Sequence, residues 1–343
     1  MGALRWVGDV TEVSFRRVLV TGGAGYVGSL LVPRLLKAGH EVVVLDLYIY
    51  GEGVLSEVRG HPGLREVKGD IRDPAVVNRA LEGCDAVIHL ACISNDPSFE
   101  LNPDLGRSIN FDAFRPFVRA SKEKGIKRFI YASSSSVYGV KSESRVTEDL
   151  PLEPLTDYSR YKALCERILD EERTEGFVIT TLRPATVCGY SPRQRLDLTV
   201  NILTNHAINL GKITVFGGKQ KRPNIHISDM VELYRLFLRY PDEKIDGRVF
   251  NAGYENHALM EIAEIVREQV SDRLPIEIAP TDDLRSYHVD STKMREELGF
   301  IPKRSVAMAS ADLVVAFRES KLLRSMDDSI YFNVKRMQEL GLK

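Results

Sequence analysis

Cysteine, tryptophan, net charge and long apolar runs are all scarce in this 343-residue chain. Its four cysteines are Cys84, Cys92, Cys165 and Cys188. They lack metal-type spacing, which argues against a zinc site or a disulfide framework and favours a reducing cytoplasm. A net charge of −1 leaves no basic field for nucleic acid. No apolar run approaches a membrane span, and the first fourteen residues lack the apolar core of a signal peptide.

The segment RRVLVTGGAGYVGSLLVPRLLKAGHEVVVLDL, residues 16–47, predicts a strand, a glycine-rich turn, a helix and a second strand. Gly22, Gly25 and Gly28 have the spacing at which glycines permit a sharp turn, approach to a pyrophosphate, and close packing of helix on strand. The N-terminus of the following helix would hold the phosphates. Asp46 ends the second strand, where a carboxylate accepts ribose hydroxyls and repels a 2′-phosphate. The predicted cofactor is therefore NAD rather than NADP.

Strands and helices continue to alternate after this unit. Strands are predicted within 67–73, 84–91 and 127–136, with helical segments at about 74–82 and 107–125. Asp70 ends the first of these strands and could reach the adenine. The pattern predicts an α/β fold, a Rossmann-like doubly wound parallel sheet with a smaller C-terminal α/β substrate lobe. We assign 1–15 to an N-terminal extension, 16–185 to the NAD-binding domain and 186–343 mainly to the substrate lobe, with some segments returning to the sheet.

The segment DYSRYKALCERIL, residues 157–169, has the apolar periodicity of a helix and places Tyr158 and Lys162 on one face. A free tyrosine has a pKa of about 10 and is a poor base at neutral pH. We expect the Lys162 ammonium and an oxidised nicotinamide ring to stabilise the phenolate and lower the pKa of Tyr158. The pair is thus a candidate for proton transfer.

These motifs together resemble the extended short-chain dehydrogenase/reductase family, in its NAD-dependent nucleotide-sugar epimerase/dehydratase branch. The resemblance runs from about Arg17 to Pro302. It rests on TGGAGYVG, the Asp46 strand end, SSSSVYG, the Y-x-x-x-K pair, LRPATVCG (182–189), VFGGKQKRPNIHISD (215–229) and KMREELGFIP (293–302).

The resemblance implies that Tyr158 removes a proton from a sugar hydroxyl while hydride passes from the same carbon to NAD. Lys162 would also hold the nicotinamide ribose, and Ser134 would hydrogen-bond the reacting hydroxyl and the Tyr158 oxygen. Further cofactor contacts are expected from Tyr26, Val27, Ile71, Leu90, Ala91, Asn110, Ser133 and Arg183. Substrate contacts are expected from Ser135, Thr186, Arg193, Arg195, Asn201, Arg222 and Arg285, with Arg222 and Arg285 on the diphosphate. No metal ligand is expected.

Ser135 and Ser136 bear on the reaction. The family's 4,6-dehydratases carry an acid pair at these positions, and two hydroxyls of high pKa cannot supply the acid and base that elimination of water needs. The SSSSVYG form resembles the 4-epimerases, which oxidise C4 and re-reduce the 4-keto intermediate. The pattern R-S-Y-x-V at Arg285 departs from the common epimerases, so a nucleotide-sugar 4-dehydrogenase or 4-ketoreductase acting on a modified hexose or heptose remains an alternative.

A non-catalytic NAD-sensing protein on the same fold is a further alternative, and it would have no need of Ser134, Tyr158 and Lys162. The resemblance also implies a homodimer formed through the helices at about 107–124 and 159–173. No nucleic-acid or membrane partner is expected, and the expected location is cytoplasmic. Residues 303–343 extend past the usual end of the resemblance, and within them KLLRSMDDSIYFNVKRMQELG, residues 321–341, predicts polar-faced helix and loop.

Overall fold

A computed structural model describes residues 15–281 and 286–342 of the chain. The strands are β1 (Arg17–Thr21), β2 (Glu41–Asp46), β3 (Leu64–Lys68), β4 (Ala86–His89), β5 (Arg128–Ala132), β6 (Val178–Pro184), β7 (Thr186–Cys188), β8 (Ile213–Phe216), β9 (Lys221–His226), β10 (Arg248–Ala252), β11 (Glu255–Ala258) and β12 (Ile276–Ala279). The longer helices are α1 (Gly28–Lys37), α2 (Pro74–Leu81), α3 (Asp96–Leu101), α4 (Pro103–Arg107), α5 (Phe114–Glu123), α6 (Asp157–Glu171), α7 (Thr199–Leu210), α8 (Ile227–Phe237), α9 (Asp242–Ile245), α10 (Leu259–Val270), α11 (Thr292–Leu298), α12 (Val306–Arg318) and α13 (Asn333–Glu339).

A seven-stranded parallel sheet organises the larger part of the molecule. Its order is β10-β6-β5-β4-β1-β2-β3, and every neighbouring pair is parallel. The chain moves outward from β1 in one direction through β2 and β3, then returns to build β4, β5 and β6 on the other side. Such a reversal leaves a crevice at the carboxyl ends of the strands. The predicted Rossmann-like α/β fold is confirmed.

The smaller C-terminal lobe is built on two short sheets. The strands β11, β9 and β7 form one, and β12 pairs with β8 in the other. Helices α7, α10 and α12 cover a separate apolar core that includes Val200, Ile213, Ile262 and Ala309. Because β10 returns to the large sheet, the two parts interleave along the chain, and a boundary at 185/186 stays a prediction.

The two ends of the chain are described to different extents. The proposed extension, 1–15, lies outside the described residues except for Phe15, which is buried beneath the Arg128 guanidinium. The polar-faced helix and loop predicted for residues 321–341 correspond to a loop and α13, and they follow α12, which was not predicted. Within the part of the chain that the structure describes, no helix is both long and apolar enough to span a membrane.

The glycine-rich turn between β1 and α1 leaves no room for side chains at two positions. Gly22 has φ +70°, and a Cβ there would lie 2.8 Å from the Ala91 backbone nitrogen. A Cβ on Gly28 would lie 2.4 Å from the Gly22 carbonyl oxygen. The first and third glycines of the motif therefore bring helix, turn and neighbouring strand together, as the spacing predicts.

Replacing Gly28 by Ala is expected to lower the free energy of unfolding by roughly 1–3 kcal/mol, because backbone must move to admit the methyl group. Urea unfolding measures the change. Gly53→Ala is the control, since a Cβ there meets nothing within 4 Å and the backbone φ is not positive. Equal stability of the two variants would contradict the packing argument.

Candidate active site

A cavity of about 340 Å³ opens at the carboxyl ends of the parallel strands and extends toward the smaller lobe. Most of the residues predicted from the sequence line it. These are Gly22, Gly25, Tyr26, Val27, Gly28, Asp46, Ile71, Leu90, Ala91, Ser133, Ser134, Ser135, Tyr158, Lys162, Thr186, Arg193 and Arg195. The structure therefore brings both halves of the predicted site to one cavity.

The turn before α1 suits a pyrophosphate. No hydrogen bond within the described residues pairs the backbone N–H groups of Tyr26, Val27 and Gly28, whereas the N–H groups of Gly25 and Ser29 are paired. Unpaired donors at a helix N-terminus attract anions. A Cβ on Gly25 would meet only the Gly22 carbonyl, so the approach to this turn is open. The residues present fit a dinucleotide.

Asp46 is held by backbone donors at the edge of the cavity. Its Oδ2 accepts the Ala24 N–H at 2.9 Å and its Oδ1 accepts the Tyr48 N–H at 2.7 Å. Burial raises the pKa of the Asp46 carboxyl, and the two backbone hydrogen bonds oppose that rise. Each oxygen keeps lone-pair capacity for a ribose hydroxyl. The carboxylate stands where the sequence predicts the NAD ribose.

Replacing Asp46 by Ser is expected to bring the dissociation constants of NAD and NADP closer together, because the negative charge that opposes a 2′-phosphate is lost. Titration of the two cofactors against each variant measures the ratio. Asp73→Ser is the matched control, since Asp73 caps α2 away from the cavity and Ser also caps helices. If the ratio of the NAD and NADP dissociation constants is the same in Asp46→Ser and in the parent protein, the assignment of Asp46 to the ribose is contradicted.

The predicted catalytic residues meet on the other side of the cavity. Tyr158 lies in the first turn of α6, which the Thr156 side chain caps by accepting the Ser159 N–H. The Ser134 hydroxyl lies close enough to the Tyr158 oxygen to lower the pKa of Tyr158. Lys162 is buried one turn along, with its Nζ 5.9 Å from the centre of the Tyr158 ring. The geometry allows one hydroxyl ligand to contact both Ser134 and Tyr158.

Burial governs the pKa of Tyr158 in this structure, and the predicted effect of Lys162 together with an oxidised nicotinamide ring stays a prediction. Burial raises the pKa of Tyr158 well above its ordinary value, Cys92 and Asp96 raise it further, and Arg195 and the Ser134 hydroxyl lower it. Lys162 instead donates to the Ala132 carbonyl oxygen at 2.6 Å. Desolvation outweighs the nearby charges in this environment.

The four consecutive serines have different partners. Ser134 Oγ accepts the Ser136 N–H at 3.1 Å and lies 2.8 Å from Ser136 Oγ. Ser133 donates to Glu166, and Ser135 is buried at the cavity wall. The sequence expectation placed Ser133 beside the cofactor and gave Ser136 no role. The structure adds that Ser136 orients Ser134.

Five predicted residues support the cavity from outside it or lie at its margin. Asn110 holds the loop after β4 through both backbone groups of Ile93. Arg183 pairs with Glu166 at 2.7 Å, and Asp70 pairs with Arg72 at 2.6 Å. The other two are Asn201, which bonds Gly189, Tyr26 and Arg195, and Arg222, whose guanidinium lies over the ring of Tyr287.

Direct ligand contact by these five stays a prediction. The remaining predicted residue, Arg285, lies outside the described residues.

Arg193 and Arg195 are buried in the cavity wall with unused donors. The Arg193 guanidinium carbon lies 3.5 Å from the centre of the Tyr50 ring. Arg195 donates to Asp197 at 2.9 Å and to Ser94 at 3.1 Å. Within the described ranges, Arg193 Nε and Arg195 Nη2 have no hydrogen-bond acceptor. Buried charged donors without partners point to an anionic ligand.

Comparison with known proteins accounts for this combination of turn, strand end and Tyr–Lys pair. The profile of the NAD-dependent epimerase/dehydratase family matches residues 18–253. The chain belongs to this family. Its cofactor class is NAD, which confirms the cofactor predicted from Asp46 and the glycine-rich turn.

Relatives within the epimerase/dehydratase family differ in the reaction their names give. A UDP-glucose 4-epimerase of Lactobacillus helveticus is 30% identical over 84% of this chain and 92% of its own. UDP-glucuronic acid decarboxylase 1 of Arabidopsis thaliana is 29% identical over 88% of this chain and 70% of its own. A crystal structure of the dTDP-glucose 4,6-dehydratase DesIV from Streptomyces venezuelae, with NAD bound, has TM-score 0.81, 26% identity and coverage of 92% and 99%. The chain is thus an enzyme of the NAD-dependent epimerase/dehydratase family, in which these relatives carry out different reactions.

Several cavity residues of this family member escaped sequence reasoning. Tyr50 and Ser94 line the cavity from loops that follow β2 and β4, and Asp96 lines it from the first residue of α3. Asn333 lines it from α13, eighty residues beyond the family match at 253. Tyr50, Ser94 and Asp96 each follow the end of a strand, and this position could have indicated them as cavity residues. For Asn333 no sequence signal existed.

Proposed function

We propose that the protein is an NAD-dependent nucleotide-sugar 4-epimerase. The observation that carries the proposal is the arrangement of Ser134, Tyr158 and Lys162 around one cavity, with hydroxyls at positions 135 and 136. Bound NAD would accept hydride from C4 of the sugar and return it to the opposite face of the sugar ring. The turn before α1 and the Asp46 carboxylate would hold that cofactor.

The protein's own part in the reaction is proton transfer and orientation. The C4 hydroxyl would donate its proton to the Tyr158 oxygen during oxidation and recover it during reduction. Ser134 would hydrogen-bond the same hydroxyl, and Ser136 would fix the Ser134 rotamer through its backbone N–H. To accept this proton Tyr158 must be a phenolate, and the buried Lys162 ammonium together with the positive ring of oxidised nicotinamide would stabilise that form.

Dehydration is disfavoured by the placement of acids. Among the described residues, the carboxylates lining the cavity are Asp46 and Asp96. Asp46 already accepts two backbone hydrogen bonds, and Asp96 accepts the Thr156 hydroxyl at 2.6 Å. Neither stands in the serine segment, where the predicted acid pair of a dehydratase would be. Loss of water from C5–C6 needs such a pair.

Arg193 and Arg195 would bind the anionic part of the nucleotide sugar. Each has a buried N–H directed to no acceptor of the described chain, and Arg195 acts electrostatically on Tyr158. Charge-assisted pairing of guanidinium with phosphate or carboxylate suits this environment. Arg222 and Arg285 remain the proposed contacts to the diphosphate.

Replacing Arg195 by Met is expected to weaken nucleotide-sugar binding by about ten- to one-hundred-fold, the range for a lost hydrogen bond to a charged group. Titration of the substrate against holoenzyme measures it, with NAD affinity expected to stay within a few-fold. Arg195→Lys retains charge without the planar fork and should be intermediate. An equal loss of NAD affinity would assign Arg195 to the cofactor instead.

The proposed reaction is tested by incubating purified enzyme with UDP-, GDP-, dTDP- and CDP-sugars and following the C4 configuration by NMR, without added cofactor. Inversion at C4 in one of these sugars is the expected result. Denatured enzyme should release NAD or NADH in near-stoichiometric amount. Activity that depends strictly on added NAD(H) would favour the 4-dehydrogenase or 4-ketoreductase, and a 4-keto-6-deoxy product would favour the dehydratase. A homodimer and a cytoplasmic location are proposed with the epimerase.

A further inference from the structure

The C-terminal segment, residues 329–342, contributes Asn333 to the cavity lining and hydrogen-bonds the segments that contain Ile49, Ser94 and Arg193. It leaves α12 of the smaller lobe, passes a short 3-10 turn at Ser329–Tyr331 and ends in α13. From there α13 packs against α3 of the larger part. The segment therefore connects the smaller lobe to the NAD-binding part next to the predicted cofactor residues.

Asn333, the first residue of α13, makes most of these contacts. It is buried, with 2% of its surface exposed, and it lines the cavity. Its Oδ1 accepts Arg193 Nη2 at 2.6 Å, and its Nδ2 donates to Ser94 Oγ at 3.0 Å. Its backbone N–H donates to Asp197 at 2.9 Å. One side chain thus fixes both the loop after β4 and the arginine that stacks on Tyr50.

Helix α13 makes two further contacts with residues near the cavity. Arg336 Nε donates to the Ile49 carbonyl oxygen at 2.6 Å, three residues after Asp46. Met337 is buried with Ile93 and Ile109, and Ile71 and Leu342 pack on that cluster. Since Ile71 lines the cavity, the apolar side of α13 supports the wall expected for the adenosine.

We propose that the C-terminal segment is a wall of the NAD site and slows release of the cofactor, with Asn333 as the residue that positions Arg193 and the Ser94 loop. Opening the cavity on this side requires the hydrogen bonds of Asn333 and Arg336 to break together. The inference rests on the NAD site and not on the proposed C4 epimerisation. It applies equally to a dehydrogenase or dehydratase.

The test measures release of NAD from holoenzyme. Protein loaded with radiolabelled NAD is mixed with excess unlabelled NAD, and label retained on a filter is followed with time, well below the melting temperature. Asn333→Ala is expected to release NAD about ten- to one-hundred-fold faster, the range for hydrogen bonds that involve a charged group. Arg336→Met should accelerate release in the same direction.

Two controls separate the wall from general stability. Gln338→Ala changes an exposed residue of α13 and should release NAD at the parent rate. Val266→Ala destabilises the core of the smaller lobe, away from the cavity, and should lower the melting temperature without faster release. Parent-like release from both Asn333→Ala and Arg336→Met would overturn the proposal. If Asn333→Ala does not fold, Arg336→Met alone decides.

Discussion

Replacing Tyr158 by Phe is expected to lower kcat by at least 10²–10⁴-fold, the usual contribution of a positioned acid–base group. The substitution removes only the Tyr158 oxygen, which lies near the Ser134 hydroxyl, and leaves the ring in the cavity lining. Steady-state rates under saturating nucleotide sugar measure the effect. NAD content of the purified variant should remain that of the parent protein.

The partner variant, Ser134→Ala, should lose activity within the same range. Because Ser134 and Tyr158 act on one hydroxyl, the double variant should lose far less than the product of the two losses. Ser136→Ala is the matched control and should lose only a few-fold, although its hydroxyl lies 2.8 Å from Ser134 Oγ. Its backbone N–H still holds Ser134. A loss of kcat in Ser136→Ala as large as the loss in Ser134→Ala would show that the catalytic role was assigned to the wrong serine.

Glu166→Ala is expected to lower the free energy of unfolding by roughly 3–5 kcal/mol, the cost of leaving a buried charge unpaired. Glu166 and Arg183 side chains are only 8% and 6% exposed and pair at 2.7 Å. Glu166 also accepts the Ser133 hydroxyl, so the pair supports the start of the serine segment. Urea or thermal unfolding measures the change.

The control for that prediction is Glu171→Ala on the same helix. Glu171 is 60% exposed and pairs with Arg115, so its loss should cost about 1 kcal/mol or less. The double variant Glu166→Met/Arg183→Met should recover part of the stability, because it removes both charges together. A double variant no more stable than Glu166→Ala would show that the pair is not the cause.

The fold and the cofactor half of the site were predictable because their signals are local. The turn from Gly22 to Gly28 follows directly after a buried strand, and the acid at Asp46 ends the next one. Parallel strands end at one edge of a sheet, so residues after strand ends meet there. Tyr158 and Lys162 were predictable for a similar reason, since one helical turn fixes their spacing.

The remainder of the site depends on contacts between distant segments. Arg193 meets Tyr50 and Asn333 across 143 and 140 residues, and no periodicity indicates such a meeting. The sequence shows the lysine that neighbours Tyr158, but it does not show the burial that raises the pKa of this phenol. Burial of a phenol is a tertiary property, and here it outweighs the charges.

The fate of the C4 hydrogen tests the proposed reaction most directly. Nucleotide sugars deuterated at C4, drawn from the panel that binds, are incubated with the enzyme, and the label is located by NMR and mass spectrometry. An epimerase that keeps its cofactor returns the label to C4 of the inverted sugar, and this is the result we predict. Deuterium at C6 of a dehydrated product, or deuterium released to free cofactor beside a 4-keto-sugar, would contradict the 4-epimerase.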